Sequence, residues 1–183
     1  MKAIVIWEKD KVNNFSVSSN SLEGFVLFNQ EKEDSHVEVT VYLKGNFSYA
    51  HGFHIHEKPM NKNSMESSVE ECCEKLGGHF NVGDKWSMED ITGTKHGNHT
   101  GDLCFNIYPE NGIVDFSFDD HKISLFKKNK ACILNRSLVI HEGEDDKGEG
   151  VYPEEEDEKN IQTKITGNAG KRIACGNITE ILD

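Results

Sequence analysis

No run of apolar residues in this 183-residue chain approaches the roughly 20 needed to cross a bilayer as a helix. The start, Met-Lys-Ala-Ile-Val-Ile-Trp-Glu-Lys-Asp, has too short an apolar stretch for a secretory signal, so a cytoplasmic protein is expected. Positive charge is the minority sign: 20 Lys and Arg stand against 32 Asp and Glu, a formal net charge of -12. That balance argues against a nucleic-acid partner and against docking on an anionic membrane. Internal repeats are not evident and no second domain is indicated, so the length fits one domain with a proper core. Five cysteines are an odd number, which leaves at least one thiol unpaired within a monomer. A reducing compartment would favour no disulfide at all.

What the chain does have is period-two patterning. Val37, Val39, Val41 and Leu43 share one face of an extended segment, as do Leu103, Phe105 and Ile107, and then Val114, Phe116 and Phe118. Further strands are predicted at Ala3–Glu8, Gly24–Asn29, Gly52–Glu57, Lys122–Phe126, Arg136–His141 and Arg172–Ile178. Asn111-Gly112 between two alternating runs signals a hairpin turn. The pattern predicts an all-β fold: an antiparallel sandwich or flattened barrel of about eight strands. Two stretches break the rhythm, Lys58–Asn98 and the acidic Glu142–Gly170. Loops of that length inside a domain are usually functional or disordered, and because both are bounded by histidines they read as functional. Glu154–Glu158 reads as a solvated acidic tip. Cys104 and Cys132, in apolar runs, read as small buried hydrophobes.

The histidines carry the chemistry. His54 and His56 occupy alternate positions of one strand, point the same way and are spaced by roughly 6–7 Å of backbone. His141 ends the apolar strand Ser-Leu-Val-Ile. With His79, His96, His99 and Asp102 these make six imidazoles and one carboxylate, enough for two metal sites that share a ligand. Imidazole suits both copper and zinc, of which only copper is redox-active.

The ordered series Gly-Phe-His54-Ile-His56-Glu, Gly-Gly-His79-Phe-Asn, His96-Gly-Asn-His99-Thr-Gly-Asp102, His141 and Thr166-Gly-Asn-Ala-Gly-Lys-Arg172-Ile-Ala-Cys175-Gly resembles the copper–zinc superoxide dismutases. The match runs from about Ala3 to Ile181, so residues 1–183 are expected to form a single Greek-key domain of that family. The resemblance implies a copper set of His54, His56, His79 and His141 and a zinc set of His79, His96, His99 and Asp102. His79 would bridge the two as imidazolate. It also implies that Asp145 links a copper histidine to a zinc histidine, the pair being His54 and His96, and that Arg172 holds the substrate anion. Thr166 would narrow the channel, with Lys164 and Lys171 adding local positive potential. Cys73 and Cys175 match the family's disulfide, although Cys72 sits beside Cys73 as a competitor. His51 matches a structural histidine. His36 and His121 match nothing and read as surface residues.

The implied activity converts superoxide to oxygen and hydrogen peroxide by alternating Cu(II) and Cu(I), with His79 and water supplying protons. Copper and zinc are the implied cofactors, superoxide the substrate, and a copper chaperone a partner the resemblance allows. Two alternatives accompany it. One is a catalytically silent metal-binding module, a copper sink or chaperone decoy; the other is a copper-only enzyme, should the zinc loop fail. That loop is rebuilt relative to the family: His96 and His99 lie closer together than usual, and the gap from His79 to His96 is longer. The tail puts Asn177, Thr179 and Glu180 where the family often has small or apolar residues at a dimer contact, which leaves a family-like homodimer open.

Overall fold

Alternation of apolar and polar side chains becomes two five-stranded antiparallel sheets in the computed structural model, which describes residues 1–8, 16–19, 21–61, 68–83 and 96–182. Residues 62–67 and 84–95 of the first predicted loop lie outside the described residues. The strands are β1 Lys2–Trp7, β2 Ser16–Ser18, β3 Glu23–Asn29, β4 Val37–Lys44, β5 His51–His56, β6 Asp102–Ile107, β7 Ile113–Asp120, β8 Ser137–His141, β9 Arg172–Asn177 and β10 Thr179–Glu180. One sheet runs β10-β1-β3-β4-β7 and the other β2-β9-β8-β5-β6.

The clearest strand signal is also the clearest outcome. β4 alternates strictly between buried and exposed residues, with Val37, Val39, Val41 and Leu43 fully buried. They meet Phe53, Ile55, Leu138 and Ile140 of the opposite sheet in one core, which excludes water from both inner faces. Trp7 ties the sheets together at one end, its indole N–H donating to the Cys175 carbonyl at 3.2 Å.

Several expectations change. The sheets do not close into a barrel. Asn111 (φ 52) and Gly112 (φ 76) do make the tight turn, with Glu110 and Ile113 exchanging backbone hydrogen bonds. Beyond that pair, however, β6 joins β5 and β7 joins β4, so the turn links two sheets. The alternation of Leu103, Phe105 and Ile107 fails at Phe105. Its φ of 66 and a register shift opposite Phe53 and His54 mark a bulge, and Phe105 turns its ring edge-on to His96. Residues 122–126 are not a strand, because side chains satisfy most of their backbone N–H groups and Ser124 alone makes a bridge, to Cys132. The Asp120 carboxylate accepts from the N–H groups of Lys122 and Ile123, and Gln30 Oε1 accepts from Leu125. Cys104 and Cys132 are half-buried, not buried.

Each long loop contains a helix. α1, Val69–Glu74, opens with a capping box in which Ser68 and Glu71 satisfy each other's backbone N–H groups. α2, Asp157–Thr166, incorporates part of the acidic run. Asp157 and Glu158 sit in its first turn, where a carboxylate complements the positive end of the helix. No helix among the described residues is long and apolar enough to cross a membrane.

Cys73 of α1 is bonded to Cys175 of β9, and Cys72 is buried and takes no part in a disulfide. The bridge spans 102 residues of sequence and fastens α1 onto the second sheet. Closing a loop that long removes about 4–5 kcal/mol of unfolded-state entropy. Cys175→Ser is therefore expected to lower the oxidised chain's unfolding free energy by about 3–5 kcal/mol. Urea melts with and without reductant check this, and the variant should be insensitive to the reductant.

Candidate metal centre

β5 is the rigid floor of the site. All six of its residues are buried, and it lies between β6 and β8. The strand spacing places His54 and His56 on one side, and pairing of β5 with β8 brings His141 to them. An isolated bridge between His56 and His79 adds the fourth ring. One ligand atom from each of His54, His56, His79 and His141 falls within 4.8 Å of the others, and the same holds for His79, His96, His99 and Asp102. The seven predicted positions thus form two groups, with His79 in both.

The hydrogen bonds fix which nitrogen faces inward. A backbone carbonyl only accepts, so His56 Nδ1–H donates to Gly77 O at 3.0 Å and His141 Nδ1–H to Gly170 O at 3.0 Å. Their Nε2 atoms then face each other as lone pairs 3.4 Å apart. His54 bonds through Nε2 to Asp145, which leaves its buried Nδ1 without a hydrogen-bond partner. His79 donates through Nδ1 to Asp102 at 2.8 Å, and its Nε2 is likewise buried without one. Lone pairs converging in a buried space repel unless a cation lies between them. Ligand bonds of about 2.0–2.1 Å in a tetrahedron put neighbouring donors roughly 3.3 Å apart, so the spacing fits a metal.

The second group is organised by Asp102. Its carboxylate lies 3.3 Å from His96 Nδ1 and 3.2 Å from His99 Nδ1, and it accepts backbone N–H bonds from Gly97 at 2.8 Å and His99 at 3.0 Å. Three imidazoles and a carboxylate suit zinc. His96 therefore joins the group despite its altered spacing. Asp145 takes His54 on one side and His96 Nε2 on the other, the latter at 2.8 Å, and so connects the groups. Gly167 closes α2 with φ 69, and a Cβ there would meet Asp145 at 2.1 Å. Glycine is required on both counts.

Burial sets the protonation. Desolvation drives His54, His56 and His79 below their ordinary 6.5, and His141 down to about 3, so these rings are neutral donors. Burial also opposes a charged His96, but hydrogen bonds to Asp102 and Asp145 outweigh it and raise the ring to about 9. For Asp102, burial is overcome by hydrogen bonds from His79, His96 and His99, which hold the carboxyl far below the usual range.

Arg172 opens β9 opposite His141. Its guanidinium donates to the carbonyls of Cys73 at 2.6 Å, Glu74 at 3.2 Å and Gly77 at 2.7 Å. Thr166 turns its hydroxyl back to Gln162 at 3.2 Å. Lys171 pairs with Glu70 at 3.1 Å, and Lys164 donates to Gly148 O at 2.6 Å. His51 donates through Nδ1 to the His141 carbonyl at 2.7 Å and belongs to neither group.

Two residues escaped sequence reasoning. Asn106 clamps the backbone of Asp145, donating to its carbonyl at 2.9 Å and accepting from its N–H at 2.8 Å. Lys122 donates its ammonium to the carbonyls of His99 at 3.0 Å and Asp102 at 2.5 Å, bracing the backbone of two zinc-set residues. Neither has a local signature: an asparagine in a strand and a lysine in an apparent strand are unremarkable.

Lys122→Met is expected to weaken zinc binding by about 10-fold, the scale seen when a ligand's support is removed. Chelator competition measures this, with copper affinity unchanged. The histidines also give the metal-free chain a pH dependence. His54, His56, His79 and His141 titrate lower folded than unfolded, so their contribution is complete above about 6.5 and is lost as pH falls towards 3. His96 runs the other way, its contribution being lost between about 6.5 and 9. Four against one predicts that the urea midpoint of the metal-free chain falls from pH 7 to pH 5.

Comparison with known proteins agrees with this geometry. Residues 22–178 match the family model described as copper/zinc superoxide dismutase. The chain is 38% identical over 160 residues to the superoxide dismutase [Cu-Zn] of Schizosaccharomyces pombe, covering 87% of this chain and 90% of that protein. It is 37% identical over 161 residues to the extracellular superoxide dismutase [Cu-Zn] of Drosophila melanogaster, covering 87% and 77%. It is 36% identical over 162 residues to superoxide dismutase [Cu-Zn] A of Xenopus laevis, covering 87% and 91%. Among solved structures, the clock protein EA4 superposes with a TM-score of 0.69 at 28% identity, covering 98% of this chain and 94% of that one. With two histidine groups built for copper and zinc and a family match across most of its length, the chain belongs to the copper–zinc superoxide dismutases.

Proposed function

We propose that the chain disproportionates superoxide, two anions and two protons yielding one oxygen and one hydrogen peroxide, at a centre where His54, His56, His79 and His141 hold copper. His79, His96, His99 and Asp102 hold zinc. The observation that carries the reading is His79: its Nδ1 faces Asp102 while its Nε2 faces the copper group. Copper, when bound, supplies one-electron chemistry by alternating between Cu(II) and Cu(I), whereas zinc is redox-inert.

The protein contributes position, charge and a proton. His56 and His141 are locked in one tautomer by Gly77 and Gly170, so their Nε2 lone pairs are pre-aimed. His79 Nε2 takes up a proton and delivers it to the product, while Nδ1 stays in the zinc group. Arg172 receives the anion. A guanidinium offers a planar set of donors, and carbonyls occupying part of that set hold the remainder in a fixed direction. Desolvation of the four rings keeps added positive charge off them, which leaves Arg172 as the cation beside the copper group. Thr166 lines the approach and limits the size of what enters.

The test is superoxide dismutation by the purified chain after copper and zinc loading, with metal content read on the same sample. Activity at one copper and one zinc per chain supports the reading. Activity with copper alone favours a copper-only enzyme, and full occupancy without activity sinks the enzyme in favour of a metal-binding module. Arg172→Ala should keep both metals and lose activity by roughly 100-fold, as expected for removal of a pre-aimed anion donor. Arg172→Lys should recover part of it. Loss of copper from the alanine variant would show that Arg172 supports the ligands instead.

A further inference from the structure

Two histidines that the metal centre does not use face each other on the molecule's surface. The β4–β7 ladder pairs Val37 with Asp120 and Glu38 with Asp119. One step further along the same register sets His36 opposite His121, and their rings lie 5.6 Å apart. Side chains two apart on a strand share a face. Val37 and Asp120 point inward and are buried, so His36, Glu38, Asp119 and His121 all project outward. Directly opposed residues have Cβ atoms roughly 4.5–5.5 Å apart, close enough for donors on both strands to meet one ion.

One contact already has the spacing of the buried centre. His36 Nε2 lies 3.4 Å from Asp119 Oδ1, against 3.3 Å for His96 Nδ1 and Asp102 Oδ1. The ring separation of 5.6 Å equals that of His96 with His99 and of His56 with His141. The His36–Asp119 distance is that of neighbouring donors around a tetrahedral ion, and the exposed His121 ring turns to join them, the three not being among the groups whose donors already lie within 4.8 Å of one another. We propose that His36, His121 and Asp119 form a third metal site, a surface site for a divalent borderline cation, zinc or copper(II), with Glu38 or water completing the shell.

The donor set excludes calcium and magnesium, which demand oxygen ligands throughout. Two imidazoles and a carboxylate select zinc and copper(II) instead. Here the ligands are solvated, and the side chains of His36 and Asp119 are about half exposed. Solvated ligands gain little from pre-organisation, so the site binds weakly and exchanges freely. A chain of net charge -12 concentrates cations around itself, which favours loading.

The experiment titrates Zn²⁺ into the chain already holding one copper and one zinc, by calorimetry at pH 7.5. A third equivalent is expected with a Kd of about 1–10 µM. His36→Gln and His121→Gln should each weaken it by about 10-fold or more and leave the dismutase activity and the two buried metals unchanged. Copper(II) added to the loaded chain should give an electron paramagnetic resonance signal from a second type of copper, with nitrogen coupling that both variants lose. No third equivalent below about 100 µM in the parent chain, or one that the double variant binds equally well, overturns the proposal.

Discussion

The structure turns on one carboxylate. Asp145 sits in the loop after β8, and its two oxygens accept from His54 of β5 and from His96 of the other long loop. Those bonds decide which nitrogen each imidazole presents, so His54 shows Nδ1 to the copper group and His96 shows Nδ1 to Asp102. A neutral imidazole, as His54 is and as His96 becomes when a metal takes the place of its second proton, has one proton to place, and a carboxylate claims it. Without that claim the rings could take the other tautomer, and two aligned lone-pair sets would no longer coexist. The carboxylate is itself held. Asn106 grips its backbone from β6, and Gly167 leaves it room where any Cβ would collide.

A second chain of dependence runs through Cys73. Its side chain is bonded to Cys175 while its carbonyl receives Arg172, and Arg172 and Cys175 belong to the same strand. Helix α1 is only six residues long, too short to be stable alone in water. Its capping box and the disulfide therefore do together what propensity cannot. The direction of the guanidinium depends on where this short helix is pinned. A covalent bond across 102 residues thereby fixes the placement of a charge beside the metal group.

How much of this could be read beforehand follows from the range of each interaction. Strand β4 was legible because its alternation is a local property of eight residues, and the copper histidines of β5 because two-residue spacing on a strand is geometry. His96 was harder: nothing in His96-Gly-Asn-His99 says that the intervening loop returns it to Asp145. What failed was non-local. Residues 122–126 look like a strand, yet Asp120 and Gln30, the latter 95 positions from Leu125, satisfy their backbone instead. Phe105 fits the alternation on paper, but the bulge opposite His54 turns it towards His96. Composition identified the acidic run as solvated, and missed that its charges open a helix whose dipole welcomes them.

The remaining tension is electrostatic. A chain of charge -12 is an unpromising collector of an anion, and two of the lysines near the site are spoken for: Lys171 by Glu70 and Lys164 by the Gly148 carbonyl. Charges more than about 8–10 Å apart across solvent are largely screened at physiological salt, however. Distant carboxylates therefore count for little at the copper group, although Glu74 is near enough to act on Arg172. In the proposed reading the anion is received by a half-buried guanidinium whose charge cannot be removed by any ordinary pH, beside rings that burial keeps neutral. Burial strengthens the attraction that remains, because field lines from Arg172 are not absorbed by water on the protein side. Local desolvation thus lets an acidic protein present a positive target. The same desolvation makes the imidazoles good ligands, so metal binding and the anion capture proposed for Arg172 share one physical origin.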